Sequence, residues 1–219
     1  VRASKLVGMN VQGAEGKNVG EISDLIVNLA TGDVRYAIFE YDPSILKGEK
    51  VFAVPLQDMG LSADGKTLTY KQMSREQLDR AAVDKKDWKK AVANSQYIQN
   101  IDTTYGYTTD MTHARLMRAS DVLGMDVNSR EGKDIGDIKE LVVDMAAGKV
   151  RYAVLAFDPS WLKGEKLYAF PLTSFSSRAN DDELILNVGR DKLAAMKSFD
   201  PKGFEQMVDA RTVQVNKAP

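Results

Sequence analysis

Shifted by 116 residues, the chain aligns with itself, and this duplication restricts its fold more than any other feature. Arg2-Ala3-Ser4 meets Arg118-Ala119-Ser120, and Glu15-Gly16-Lys17 meets Glu131-Gly132-Lys133. Val34-Arg35-Tyr36-Ala37 meets Val150-Arg151-Tyr152-Ala153, and Pro55-Leu56 meets Pro171-Leu172. Between 2–56 and 118–172, 30 of 55 positions are identical without a gap. A weaker match runs on to Asp84/Asp200 and Trp88/Phe204. The fold must therefore be one that a segment of roughly 88 residues can form, and form twice. Two copies are too few for a solenoid, which needs three or more stacked units. The predicted organisation is one unit over 1–88, a linker over 89–116, a second unit over 117–204 and a tail over 205–219.

Within a unit the pattern is that of short strands and tight turns. Gly20–Asn28 mixes alternation with a β-branched stretch, as a half-buried strand does. The turn Ala30-Thr31-Gly32-Asp33 joins it to Val34–Tyr41, whose two faces are both largely apolar, so that strand is expected to be packed on both sides. Val51–Val54 and Leu167–Phe170 read as a further strand, and Asp64-Gly65 as a hairpin turn before Thr67–Tyr70. A helix is expected from Ser74, with Asp191–Met196 as its counterpart. The linker, with its charge cluster Lys85–Lys90 and the polar-aromatic run Thr103–Thr109, is expected to hold little regular structure. In the tail, Thr212–Val215 alternates and is expected to add an edge strand.

Composition removes whole classes of function. The 219 residues carry 30 basic and 31 acidic side chains, a net charge of -1, without the basic excess typical of a nucleic-acid binder. No run of about 18 apolar residues is present. The absence of cysteine excludes disulfides, thiolate metal sites and a cysteine nucleophile. The single histidine, His113, leaves no multi-histidine metal site.

The hydrophobic strand, the loop ending in Leu46-Lys47-Gly48-Glu49-Lys50, and the apolar strand closing in Val54-Pro55-Leu56 together resemble the PRC-barrel family. That family includes the barrel of the photosynthetic reaction-centre H subunit and the C-terminal domain of a ribosome-maturation factor. Gly8, Gly20, Asp24, Gly32, Tyr36-Ala37 and Pro55 fall where the family has similar residues. Gly124, Gly136, Glu140, Gly148, Tyr152-Ala153 and Pro171 repeat the set. The resemblance covers about 75 residues twice, outside the linker and tail. It implies an all-β chain: two tandem small PRC-like β-barrels, each with a short C-terminal helix, joined by an irregular linker. It also implies roles in protein contact and assembly rather than catalysis.

Each candidate site has a plainer structural reading. Gly60–Thr67 satisfies the P-loop pattern, but Leu68-Thr69-Tyr70 alternates like a strand where a phosphate loop needs a helix. The other copy places Ser176, Asp181 and Asp182 there, which would repel phosphate. The loop Asp42–Lys50 and its counterpart are the candidate interaction loops, through Asp42, Lys47, Glu49, Asp158, Trp161, Lys163 and Glu165. The alternative for them is a capped helical turn, with Gly48 in the left-handed C′ position and Ile45 or Trp161 tucked against a barrel end. Arg35 and Arg151, on apolar strands, are expected to pair with an acid such as Asp24 or Glu140. Asp24 with Asn28, and Glu140 with Asp144, lack the oxygen-rich pattern of a calcium loop. His113 is expected to be solvated, and Trp88 and Trp161 to be docking residues.

No catalytic residues, metal ligands or cofactors are therefore expected. A small barrel fills its interior with its own side chains, which moves recognition to surfaces, loops and the seam between units. The expected function is a non-enzymatic protein-binding or scaffold module. The alternative is a small-ligand or ion-binding protein using the groove between the barrels. A protein partner is expected, nucleic acid is not, and the barrels are expected to pack on each other as a fused dimer would. The chain begins at Val1, which removal of a secretory signal or trimming would each explain. With no cysteine to oppose export, the expected setting is the bacterial periplasm or cell envelope.

Overall fold

The computed structural model describes residues 1–41, 50–71, 80, 82–107, 115–158, 164–177 and 182–218. The chain is all-β in class and forms two small barrels of the same design. In the first unit the strands are β1 (Asn10–Gln12), β2 (Asn18–Asn28), β3 (Val34–Tyr41), β4 (Lys50–Val54), β5 (Met59–Leu61), β6 (Leu68–Tyr70) and β7 (Ala82–Asp84). They are ordered β5-β6-β1-β2-β3-β4-β7, and β8 (Leu116–Arg118) adds to β2 from the far end of the linker. The second unit has β9 (Asp126–Ser129), β10 (Asp134–Asp144), β11 (Lys149–Phe157), β12 (Lys166–Phe170), β13 (Phe175–Ser177) and β14 (Glu183–Leu186). Their order, β12-β11-β10-β9-β14-β13, is the order of the first unit read from its other end. In each unit one short pair is parallel, β1 with β6 and β9 with β14, and it brings the last hairpin back beside the first strand.

Short helices punctuate this frame: α1 (Ala3–Leu6), α2 (Trp88–Ala91), α3 (Ser95–Thr104), α4 (Ala119–Val122), α5 (Arg190–Ala194) and α6 (Phe204–Asp209). The linker therefore differs from expectation, since α3 spans ten of its residues. Asn94 caps it by accepting a hydrogen bond from the Gln96 amide at 2.9 Å. Ile98 and Ile101 then fall on one buried face. The edge strand expected over Thr212–Val215 reduces to a single parallel bridge between Val215 and Ala169. The helix expected from Ser74 lies outside the described residues.

Register shifts decide which way the long strands face. In β2 the pairing passes from Ile22↔Phe39 to Asp24↔Ile38, leaving Ser23 as an extra residue. The core-facing positions change from Ile22 to Leu25 and Val27, and Asp24 and Ile26 turn outward. β10 does the same between Ile138 and Glu140. Gly20 and Gly136 mark where these strands cross their neighbours. A β-carbon on Gly20 would lie 2.0 Å from the Glu40 carbonyl oxygen, and one on Gly136 1.9 Å from that of Ala156. Both have positive φ, so any other residue would displace backbone.

One continuous core runs through both units, with Phe39, Phe52 and Tyr70 in the first and Tyr168, Phe170 and Phe175 in the second. The seam is reciprocal under the 116-residue shift. The Val34 amide donates to the Gly148 carbonyl, and the Val150 amide to the Gly32 carbonyl, each at 2.8 Å. On the outer faces lie two further clusters. One gathers Ile26, Tyr36, Ile38, Val51 and Ala53 under Trp88, Val92, Ile98 and Ile101. The other gathers Val142, Tyr152, Val154, Leu167 and Ala169 under Phe204 and Val208. Strand β3 is thus packed on both sides, as its apolar faces require.

Candidate functional site

Two buried carboxylates organise the seam. Asp24 accepts hydrogen bonds from the Ser120 amide at 3.1 Å, from the Ser120 hydroxyl, and from the Leu25 amide at 2.8 Å. Glu140 accepts from the Ser4 amide at 3.1 Å, the Ser4 hydroxyl and the Leu141 amide at 3.0 Å. Each unit therefore holds the first helical turn of the other unit's sequence, α4 on β2 and α1 on β10. A carboxylate with this many donors tolerates burial, because its lone pairs are occupied. Arg35 consequently has a different partner from the one expected. Asp24 and Glu140 are committed to serines, and the arginine reaches into the linker.

Arg35 owes its position to a second register shift. β2 and β3 pair Ile26 with Tyr36 and Val27 with Val34, so Arg35 is an extra residue between them. Such a bulge lets neighbouring side chains leave on the same side, against strict alternation. Arg35 and Tyr36 both meet Asp102 of α3. The guanidinium donates two hydrogen bonds to the carboxylate, at 3.1 and 2.7 Å, and the tyrosine hydroxyl donates a third. The Asp102 side chain is only 3% exposed. Burial, then the hydrogen bond to Asp102, push the Tyr36 phenol well above its ordinary range. Tyr105 packs on Tyr36 with ring centres 6.0 Å apart and donates to the Ala53 carbonyl at 3.0 Å.

The second unit repeats the bulge without the partner. β10 and β11 pair Val142 with Tyr152 and Val143 with Val150, which leaves Arg151 as the extra residue. Arg151 is exposed, and among the described residues no carboxylate pairs with it. It lines a cleft of about 410 Å³ together with Asp144, Arg211, Val208 of α6, Val215 and, from across the seam, Leu61. The related cleft on the first unit, beside Ile26 and Leu116, holds about 190 Å³.

The remaining candidates divide between the described residues and the rest. Asp42, Lys47, Glu49, Trp161, Lys163 and His113 lie outside the described residues. Asp158 and Glu165 are exposed, and Glu165 lies 3.9 Å from Lys139. Gly164, the counterpart of Gly48, has φ of 71°, the left-handed conformation anticipated for that position. The P-loop pattern forms a β-hairpin from β5 to β6, and the Lys66 amide donates to Asp64 rather than facing an empty cradle. Trp88 docks on the first unit with the Arg118 guanidinium over its ring at 5.8 Å. Among the described residues no group of three or more acids and histidines is placed to hold a metal ion. No described helix is long and apolar enough to cross a membrane.

The residue that sequence reading missed is Asp102. A signal was present: Asn94 as a cap, with Tyr97, Ile98, Ile101 and Tyr105 at helical spacing. The polar run that follows concealed it. Compared with known protein families, the chain matches the PRC-barrel domain twice, over residues 1–77 and 115–193. No curated protein matches it.

Proposed function

The chain belongs to the PRC-barrel family and carries its domain twice, and from that premise we propose that it is a non-enzymatic scaffold that binds protein partners. The observation that carries this reading is the state of the two interiors. Phe39 and Tyr70 meet edge to face at 6.5 Å, and Phe170 and Phe175 at 6.2 Å, so among the described residues buried side chains fill the middle of each barrel. Recognition is then a matter of outer surfaces. The reciprocal grip of Ser4 on Glu140 and Ser120 on Asp24 supports a second element of the proposal, that the barrels act as one body in the manner of a fused dimer. A rigid platform loses little conformational entropy when a partner binds.

The test pairs two measurements on the full chain. Photo-cross-linking in the cells that make the protein, followed by reconstitution from purified components, is expected to yield a direct and reproducible protein partner. A thermal-shift screen against nucleotides, sugars and divalent cations is expected to leave the melting temperature unchanged. A small molecule or ion that raises it by several degrees, with no protein bound, overturns the scaffold reading in favour of ligand binding in the groove.

A further inference from the structure

We infer that the seam is selective: the seam edge of each barrel accepts the unlike barrel and rejects a barrel of its own kind, and Asp33 and Lys149 set that choice. This rests on the reading of the two barrels as one fused body and deepens it by naming what each seam edge recognises. Residues 33 and 149 are equivalent under the 116-residue shift, and the structure sets them opposite each other in an antiparallel bridge. The hydrogen bonds from Val34 to Gly148 and from Val150 to Gly32 flank that bridge on its two sides. The approximate two-fold axis relating the barrels therefore passes between Asp33 and Lys149. A residue on such an axis meets its own counterpart. A pair of first barrels would set Asp33 against Asp33, and a pair of second barrels Lys149 against Lys149. In the unlike pair the Lys149 ammonium lies 3.3 Å from an Asp33 carboxylate oxygen.

Directly opposed side chains on antiparallel strands are close neighbours, and like charges there are destabilising. Both side chains are partly exposed, so water weakens the attraction in the unlike pair and the repulsion in a like one. The two effects have opposite signs, and the gap between the pairings is their sum. A second difference between the copies acts in the same direction. Arg115 donates across the seam to the Ser177 hydroxyl. Leu61 is the counterpart of Ser177, so in a pair of first barrels the guanidinium would meet an apolar side chain that accepts no hydrogen bond. A barrel displaced from its own seam therefore finds no substitute in its twin on another chain.

The experiment has two arms. In the intact chain, Asp33→Lys and Lys149→Asp are each expected to lower the urea midpoint, and the double substitution to restore it. Single effects that simply add overturn the proposal. For the second arm a protease site is placed in the linker, between residues 108 and 114, and cut after folding. Tagged first halves are then left to exchange between second halves with and without Lys149→Asp. The unsubstituted second half is expected to be retained roughly tenfold better, and Asp33→Lys in the first half to reverse the order. The preference should shrink in about 1 M salt. Retention without preference overturns the proposal and leaves the fused body standing. So does a first half that retains other first halves as well as it retains second halves. Halves that separate on cutting while circular dichroism shows each still folded overturn the fused body and the proposal together. If cutting unfolds the halves, the intact-chain cycle decides. The search for a protein partner by cross-linking is independent of every one of these results.

Discussion

The two barrels are alike inside and unlike outside. Strand order, the bulges at Ser23 and Lys139, and the carboxylates at Asp24 and Glu140 are the same in both. On the outer face one unit carries a docked helix with a buried Arg35–Asp102 pair, and the other is covered by Phe204 and Val208 of α6 and keeps an exposed arginine beside a cleft. The difference teaches how a duplicated domain diversifies. The strands must keep their pattern because every core position is shared with neighbours. The segment after the barrel is free to change, and it determines how the outer face is covered.

The sharpest way to break this comparison is to remove the acid that seals the first unit. Asp102→Ala leaves the Arg35 guanidinium partly buried without its counter-ion and is expected to cost about 3 kcal/mol. Denaturant titration measures the loss. Hydrogen exchange should show α3 losing protection while β10 and β11 keep theirs. Loss of protection in both barrels together would mean that α3 stabilises the whole body.

The shared interior gives a second test. Asp24→Ala and Glu140→Ala each strand two donors of a captured serine turn and are expected to cost about 2 kcal/mol. The two values should agree within about 0.5 kcal/mol if the seam is equivalent on both sides. A clear inequality in urea midpoints breaks the equivalence.

Alkaline pH weighs more heavily on the first unit and its helix α3, where burial raises more phenols than in the second unit, which has Tyr152 and Tyr168. Burial raises the phenols of Tyr36 and Tyr105, and pushes Tyr97 and Tyr70 up to about 12. An unfolded tyrosine titrates near 10, so each of these groups keeps its proton longer in the folded state than in the unfolded one. Their contribution to stability is complete below about pH 10 and is lost as pH climbs through the folded values. The first unit is therefore expected to weaken progressively between about pH 10 and 12. Tyrosinate absorbance with circular dichroism follows it. Ordinary titration of all eight tyrosines, without unfolding, would contradict the packing of Tyr36 and Tyr105.

The smallest expected effect sharpens the comparison most directly. Arg151→Ala should change stability by no more than about 0.5 kcal/mol, as exposed substitutions do. A loss approaching that of Asp102→Ala would show that Arg151 has a structural partner, and the two outer faces would no longer differ in kind.

Much of the barrel was legible from local pattern. Alternation and turn residues located β2, β3, β4, β12 and the β5–β6 hairpin, because strand periodicity and left-handed glycines are local properties. The partner of Arg35 was not legible. Asp24 is nearer in sequence and lies on the adjacent strand, but the bulge at Ser23 turns it toward Ser120, a residue 96 positions away. Arg35 and Tyr36 share one carboxylate only because a register shift suspends alternation, and neither shift has a signature in a single strand. Helix α3 was half legible, since its cap and apolar spacing are local while the sheet that makes it worth forming is not.

The sequence by itself determined that an all-β module of the PRC-barrel kind occurs twice, that no thiol or histidine cluster exists, and where the principal strands run. These follow from composition, periodicity and self-similarity, which need no partner in space. Only the tertiary structure decided that each unit clasps the other's leading turn, and that one outer face is closed through a buried ion pair while the other is closed by apolar contacts of α6 alone, with its arginine left exposed. Those outcomes depend on residues distant in sequence meeting across sheets, where burial sets the cost of every unpaired charge.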